Sequence, residues 1–125
     1  MNNVIDNFKQ VVTGKYADFT GRADRKEYWL FVLAMIVISL ALGLLISIFA
    51  KVKLLYIVFA VLSGAVSLAL LIPSLAVTVR RLHDIGKGGG WIFISLIPFI
   101  GAIWLLILVI MKGEPGENRF GAPVE

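Results

Sequence analysis

Three long apolar runs, separated by short polar or glycine-rich segments, dominate the pattern of the chain. The first, Tyr28 to Ala50, is uncharged over about 23 residues, roughly 34 Å as a helix, enough to cross a bilayer core of ~30 Å. The second, Leu54 to Val79, runs for about 26 residues or roughly 39 Å, so it must tilt, kink or project. Pro73 supplies a kink, because it lacks an amide proton and clashes with the preceding turn. Ser74 and Thr78 are placed to take up the carbonyls it frees. The third run, Trp91 to Met111, covers about 21 residues or roughly 31 Å, with Pro98 and Gly101 weakening its middle. Only Lys51, Val52 and Lys53 separate the first two runs, which therefore pair antiparallel. The pattern predicts one all-α membrane domain: an integral bundle of three transmembrane helices, a polar loop at 80–90 and a polar, turn-filled tail at 112–125.

Ahead of the first run, Val4, Ile5, Phe8, Val11 and Val12 recur at helical spacing within residues 1–14. This predicts a short N-terminal amphipathic interfacial helix, stopped at Gly14. Asp24, with Glu27 three positions later, fits a capping box opening the next helix. Arg22, Arg25 and Lys26 then fall at headgroup level, followed by Tyr28 and Trp29 as interfacial anchors. Ser39, Gly43 and Ser47 form a stripe of small residues, and Gly64 sits in a matching patch on the second run. Such stripes let helices approach closely.

Composition changes the picture only by closing alternatives. The chain is 59% hydrophobic and 16% charged, against roughly 45–50% and 25% for a soluble domain. It has no cysteine, so disulfides, thiolate metal sites and thiol nucleophiles are excluded. The net charge of +4 comes from Lys and Arg that flank apolar runs and form no groove-reading motif, so no nucleic-acid partner is expected. With three spans, eight of the twelve Lys and Arg lie in the N-terminal segment and the 80–90 loop. That bias places both in the cytoplasm and the tail outside. The alternative is a re-entrant third run, turned at Pro98 and Gly101, which would bring the tail back to the cytoplasm.

The polar residues converge on one membrane interface. Arg22, Arg25, Lys26 and Glu27 share it with Arg80, Arg81, His83 and Asp84. This collar reads as interhelical ion pairs locking the first run's start to the second run's end. It also reads as a cationic rim for anionic headgroups, each cation contributing about 1 kcal/mol. His83 beside Asp84 is the minimum for a base with its orienter. Adjacent residues on a helix point apart, however, and a lone histidine makes no zinc site. The run Gly86-Lys87-Gly88-Gly89-Gly90 lacks the strand, spacing and Ser/Thr of a phosphate loop, and reads as a tight turn. No ionisable residue lies within the three runs, which argues against a proton-coupled pump or an intramembrane hydrolase. No catalytic, metal or cofactor site is expected. The expected function is a non-enzymatic membrane component, binding anionic lipid or protein partners through the collar, with a homo-oligomer or a membrane-protein partner in view. The alternative is an oligomeric small transporter or channel subunit, with Ser39, Gly43 and Ser47 facing a shared axis.

Three segments carry a family resemblance: GRADRKEYW (Gly21–Trp29), PSLAVTVRRLHDIG (Pro73–Gly86) and GEPGENRFG (Gly113–Gly121). In this order around three apolar runs, they resemble the bacterial inner-membrane proteins of domain of unknown function family 805, the YhaH/YhaI-like proteins. The resemblance implies a multi-span protein of the bacterial inner membrane and brings no established activity. The chain departs from it at Gly88, Gly89, Gly90 and Trp91, where relatives tend to carry Ser-Gly-Trp-Trp.

Overall fold

The computed structural model describes residues 3–124, and every regular element among them is helical. The elements are α1 (Val4–Val12), α2 (Arg25–Ile48), α3 (Lys53–Asp84), a 3₁₀ helix (Gly89–Leu96) and α4 (Ile100–Ile110). The first is capped by Asn3, whose side-chain oxygen accepts from the Asp6 amide at 2.8 Å, removing one unpaired donor of the helix start. One face of α1 is turned onto α2: Asn7 and Val11 are buried, and Phe8 stacks on Phe31 at 5.9 Å between centroids. The helix expected over 1–14 is thus a shorter element docked on the bundle; residues 1 and 2, like 125 in the tail, lie outside the described residues.

The helices α2 and α3 are long and apolar enough to cross a membrane. Most of their apolar stretch is exposed, so the apolar surface faces outward, unlike that of a core helix in a soluble protein. The two helices run antiparallel through a tight turn after Ile48, closed by Phe49 stacking on Phe59 at 5.4 Å. At the opposite end Val11, Ala23, Phe31 and Val77 form the apolar core. Pro73 is buried within α3. The carbonyl it leaves without an amide partner is that of Ala69, and the Tyr16 hydroxyl donates to it at 2.7 Å. Thr78 bonds the Ser74 carbonyl instead, at 2.8 Å.

The small-residue stripes sit differently from expectation. Ser39 and Gly43 do face Ser63 and Ser67, but across a groove of about 140 Å³ that Met35, Ile38, Leu42 and Val66 also line. A Cβ placed on Gly43 or Gly64 meets no atom within 4 Å, and Ser47 and Gly64 are exposed. The small residues therefore border an open groove between the two helices.

The third transmembrane helix expected from the apolar run 91–111 does not form. After the 3₁₀ helix the chain reverses: the Ile100 amide donates to the Pro98 carbonyl at 2.6 Å, with Phe99 between them at φ 61°, ψ −60°. This is a γ-turn, a strained reversal for a residue with a side chain. Gly101 makes it possible, because a Cβ there would overlap the Ile94 backbone carbonyl. Trp91 and Trp104 then face each other across the two legs, 6.4 Å between centroids. Each leg is roughly 16 Å long, about half a bilayer core. The tail therefore returns to the end occupied by Arg80 and the N-terminal segment, not to the opposite end as three spans required.

Candidate functional site

The most buried large side chains in the described protein include Arg80, Arg81 and Asp84. Their position follows from the ends of three elements. Asp24 caps α2 by accepting from the Glu27 amide at 2.7 Å, which fixes where that helix starts. The last turn of α3 carries Arg80, Arg81, His83 and Asp84. It closes on Gly86 at φ 80°, where the Gly86 and Lys87 amides donate to the His83 and Leu82 carbonyls at 3.0 and 2.9 Å. A left-handed glycine of this kind ends a helix at low cost. The α4 C-terminus delivers the third component, the tail.

Arg22 is at the centre. Its Nε donates to Asp84 Oδ1 at 2.8 Å. Nη1 donates to the carbonyls of Gly116 at 2.9 Å and Gly121 at 3.2 Å. Nη2 donates to the carbonyls of Asp84 at 3.2 Å and Glu114 at 2.6 Å. All five guanidinium donors are thereby used. Arg81 pairs with the other Asp84 oxygen and donates to the carbonyls of Ala23 at 2.9 Å, Val109 at 3.0 Å and Met111. Two of those carbonyls belong to the end of α4, where a cation is favoured by the helix dipole. Gly113 must be glycine, since a Cβ there would overlap the Asp84 carboxylate, and the Glu114 amide donates to the Asp84 carbonyl at 2.7 Å.

A second pair lies alongside. Arg80 pairs with Glu27 and donates Nε to the Asp18 carbonyl at 3.1 Å, while Lys15 reaches the other Glu27 oxygen at 3.3 Å. Glu27 thus spends its carboxylate on cations and leaves the return half of the capping box unmade. Asn7 ties α1 in, donating to the Glu27 carbonyl at 2.9 Å. Asn7 Oδ1 and Arg80 Nη2 are buried with no hydrogen-bond partner among the described residues. Asp18, at the edge, is partly buried, which raises its carboxyl. Hydrogen bonds from the Thr20 hydroxyl and amide, with the charges of Arg80 and Lys15, more than offset this and hold it below the ordinary carboxylate value.

His83 and Asp84 do not face each other. The His83 ring lies flat on Phe120, 3.8 Å between centroids, and its Nδ1 bonds the Gly21 carbonyl at 2.8 Å. A carbonyl only accepts, so Nδ1 carries the proton. With Asp84 given over to two arginines, the two side chains form no dyad.

Of the polar residues singled out by sequence, the fold brings together Arg22, Glu27, Arg80, Arg81, His83 and Asp84; Arg25 and Lys26 stay exposed on the first turn of α2. The reading of Arg22, Arg80 and Arg81 as a rim facing headgroups is corrected, because protein carboxylates and carbonyls enclose them. Sequence reasoning missed Asn7, Lys15, Tyr16, Gly113, Glu114 and Asn118, whose Nδ2 donates to the His83 carbonyl at 3.0 Å. The signal was there in another form: the segments Gly21–Trp29, Pro73–Gly86 and Gly113–Gly121 are the ones that meet.

Comparison with known proteins covers all three of these segments. The family described as Protein of unknown function (DUF805) matches residues 16–122, a stretch that holds all three segments. The chain is 40% identical to the inner membrane protein YhaH of Escherichia coli (strain K12), covering 88% of this chain and 89% of that one. It is 38% identical to the inner membrane protein YhaI of the same strain, covering 88% of each. It is 30% identical to the uncharacterized protein YiiR of that strain, over 82% of this chain and 83% of the other. No solved structure matches the chain. With two membrane-length helices, a buried arginine–carboxylate cluster built from its three motif segments, and these relatives, the chain belongs to the DUF805 family of bacterial inner-membrane proteins.

Proposed function

We propose that the protein is a non-enzymatic component of the inner membrane, with its polar end in the cytoplasm, where it holds anionic lipid. One observation carries this reading. The N-terminal segment, the 80–90 loop and the tail share one end, and of the twelve Lys and Arg only Lys51 and Lys53 lie at the other. Such a bias marks the cytoplasmic side. The buried arginines are consumed by internal partners, so the lipid-binding cations are the outer ones, among them Lys9, Lys26, Lys112 and Arg119, all exposed. Each is worth about 1 kcal/mol beside an anionic surface.

Native mass spectrometry of gently purified protein tests it. Wild type should retain phosphatidylglycerol in preference to phosphatidylcholine, and Lys26→Gln/Lys112→Gln should retain less. Equal retention of the two lipids by wild type would overturn the reading. Arg80 and Arg81 are unsuitable targets, since replacing them breaks the cluster before it tests any lipid.

A second reading, an oligomeric transporter or channel subunit, draws on the serine-lined groove between α2 and α3. Gly43→Leu projects into that groove without a backbone clash. Changed solute flux in vesicles, with unchanged stability, would favour this reading; unchanged flux would remove it.

A further inference from the structure

We propose that the junction of the 80–90 loop with the tail is a defined site for one phosphate group carried by an amphiphile. The inference rests on the lipid-facing reading above and narrows it from a rim to a pocket. A cavity of about 420 Å³ opens there, lined by Gly88, Gly90, Trp91, Ile94 and Arg119. One cation, Arg119, lines it, and a second, Lys87, lies against its Trp91 wall. Lys87 holds its Nζ 4.9 Å from the centre of the Trp91 ring, a cation–π contact that leaves the ammonium's hydrogen-bond donors free. Arg119 stacks its guanidinium 4.6 Å from the Phe120 ring, and its Nη2 lies 3.6 Å from where a Cβ on Gly88 would stand. Neither cation has a carboxylate partner among the described residues. This sets them apart from Arg22, Arg80 and Arg81, each of which is paired.

The chemistry of the lining selects the ligand. Gly88, Gly89 and Gly90 donate their amides to no carbonyl among the described residues. Gly88 and Gly90, with no side chains, leave the backbone open to a ligand in the cavity, while Gly89 packs against Val79. A guanidinium fork in the opening, an ammonium on its Trp91 wall and the bare backbone of Gly88 and Gly90 suit a group with three or four acceptor oxygens, hence phosphate more than carboxylate. The opposite wall is apolar: Trp91 and Ile94 lead into the outward-facing leg of the hairpin, where Phe93 and Leu96 are exposed. A phosphate with an acyl chain meets both walls at once, the headgroup at Arg119 and Lys87, the chain along the leg. The Gly-rich run therefore serves an anion without being a nucleotide-type phosphate loop, and its cations come from two distant parts of the chain.

The test titrates full-length protein in zwitterionic nanodiscs with phosphatidylglycerol, reading bound lipid by native mass spectrometry. Glycerol 3-phosphate and inorganic phosphate serve as soluble competitors. Lys87→Gln/Arg119→Gln should weaken lipid binding by about tenfold or more, the loss expected for two charge-assisted contacts. Lys26→Gln, a cation on the same end outside the pocket, should lose no more than about fivefold, the ~1 kcal/mol of one rim cation. Thermal melting should show both variants as stable as wild type, because neither pocket cation holds the fold. Displacement of lipid by inorganic phosphate at matched concentration would support the site with a free phosphate as its source. An equal loss in Lys26→Gln and the pocket variant would mean diffuse attraction to the rim, overturning the pocket and leaving the broader reading intact. No preference for phosphatidylglycerol in wild type would overturn both.

Discussion

Asp84 is the residue on which the cluster turns, because one carboxylate serves two buried guanidinium groups. Removing one partner of a buried pair strands charge without compensation and costs about 3–5 kcal/mol. Asp84→Ala should lose that much stability in denaturant unfolding, whereas Lys26→Ala, on an exposed turn, should stay within about 0.5 kcal/mol. Asp18 gives a pH signature. Its folded pKa lies below the ordinary value of about 3.9, so its stabilisation is complete above that value and is lost as pH falls through the lowered one. Asp18→Asn should therefore flatten the acid limb of the melting curve below about pH 4, measured against wild type. At this scale the side-chain partners were half legible. Charge and spacing pointed to pairing between the starts and ends of helices. They did not point to Gly116, Glu114 or Met111, because those residues act through backbone carbonyls, which every residue type carries.

Among the elements, the hairpin of the 3₁₀ helix and α4 decides the architecture. Twenty-odd apolar residues satisfy the length test for a span whether they run straight or fold double. The markers of reversal, Pro98 and Gly101, were visible in the sequence, but their effect depends on the contact of Gly101 with the Ile94 carbonyl, which lies outside any hydropathy window. Gly101→Ala should force the legs apart and lower stability by about 1–3 kcal/mol, as overpacking does, read by thermal melting with intrinsic Trp91 and Trp104 fluorescence. The kink at Pro73 shows the same limit. The freed carbonyl was foreseeable, but its donor, Tyr16, arrives from a segment more than fifty positions away.

As a whole the molecule buries a polar cluster beside a small apolar core at one end and is apolar over its flanks, which suits a membrane. The membrane class, the antiparallel pair and the location of the polar collar were readable from composition and run lengths. The end of the bundle at which the tail lies was not, because it hinges on one turn of three residues. Single cysteines introduced at Asn3, Ile85 and Val124 should all resist a membrane-impermeant reagent in intact cells and react after permeabilisation. Labelling of Val124 from outside would restore the three-span arrangement.

The clamp on Arg22 also has a meaning in time. The ribosome releases Arg22 nearly a hundred residues before Gly121, yet the fork of Arg22 draws on the carbonyls of Glu114, Gly116 and Gly121. Until those peptides emerge, the Arg22 guanidinium keeps its water in place of those three carbonyls. The clamp thus closes only after the Gly113–Gly121 segment has been made, and a chain truncated before that segment leaves Arg22 without three of its carbonyl partners.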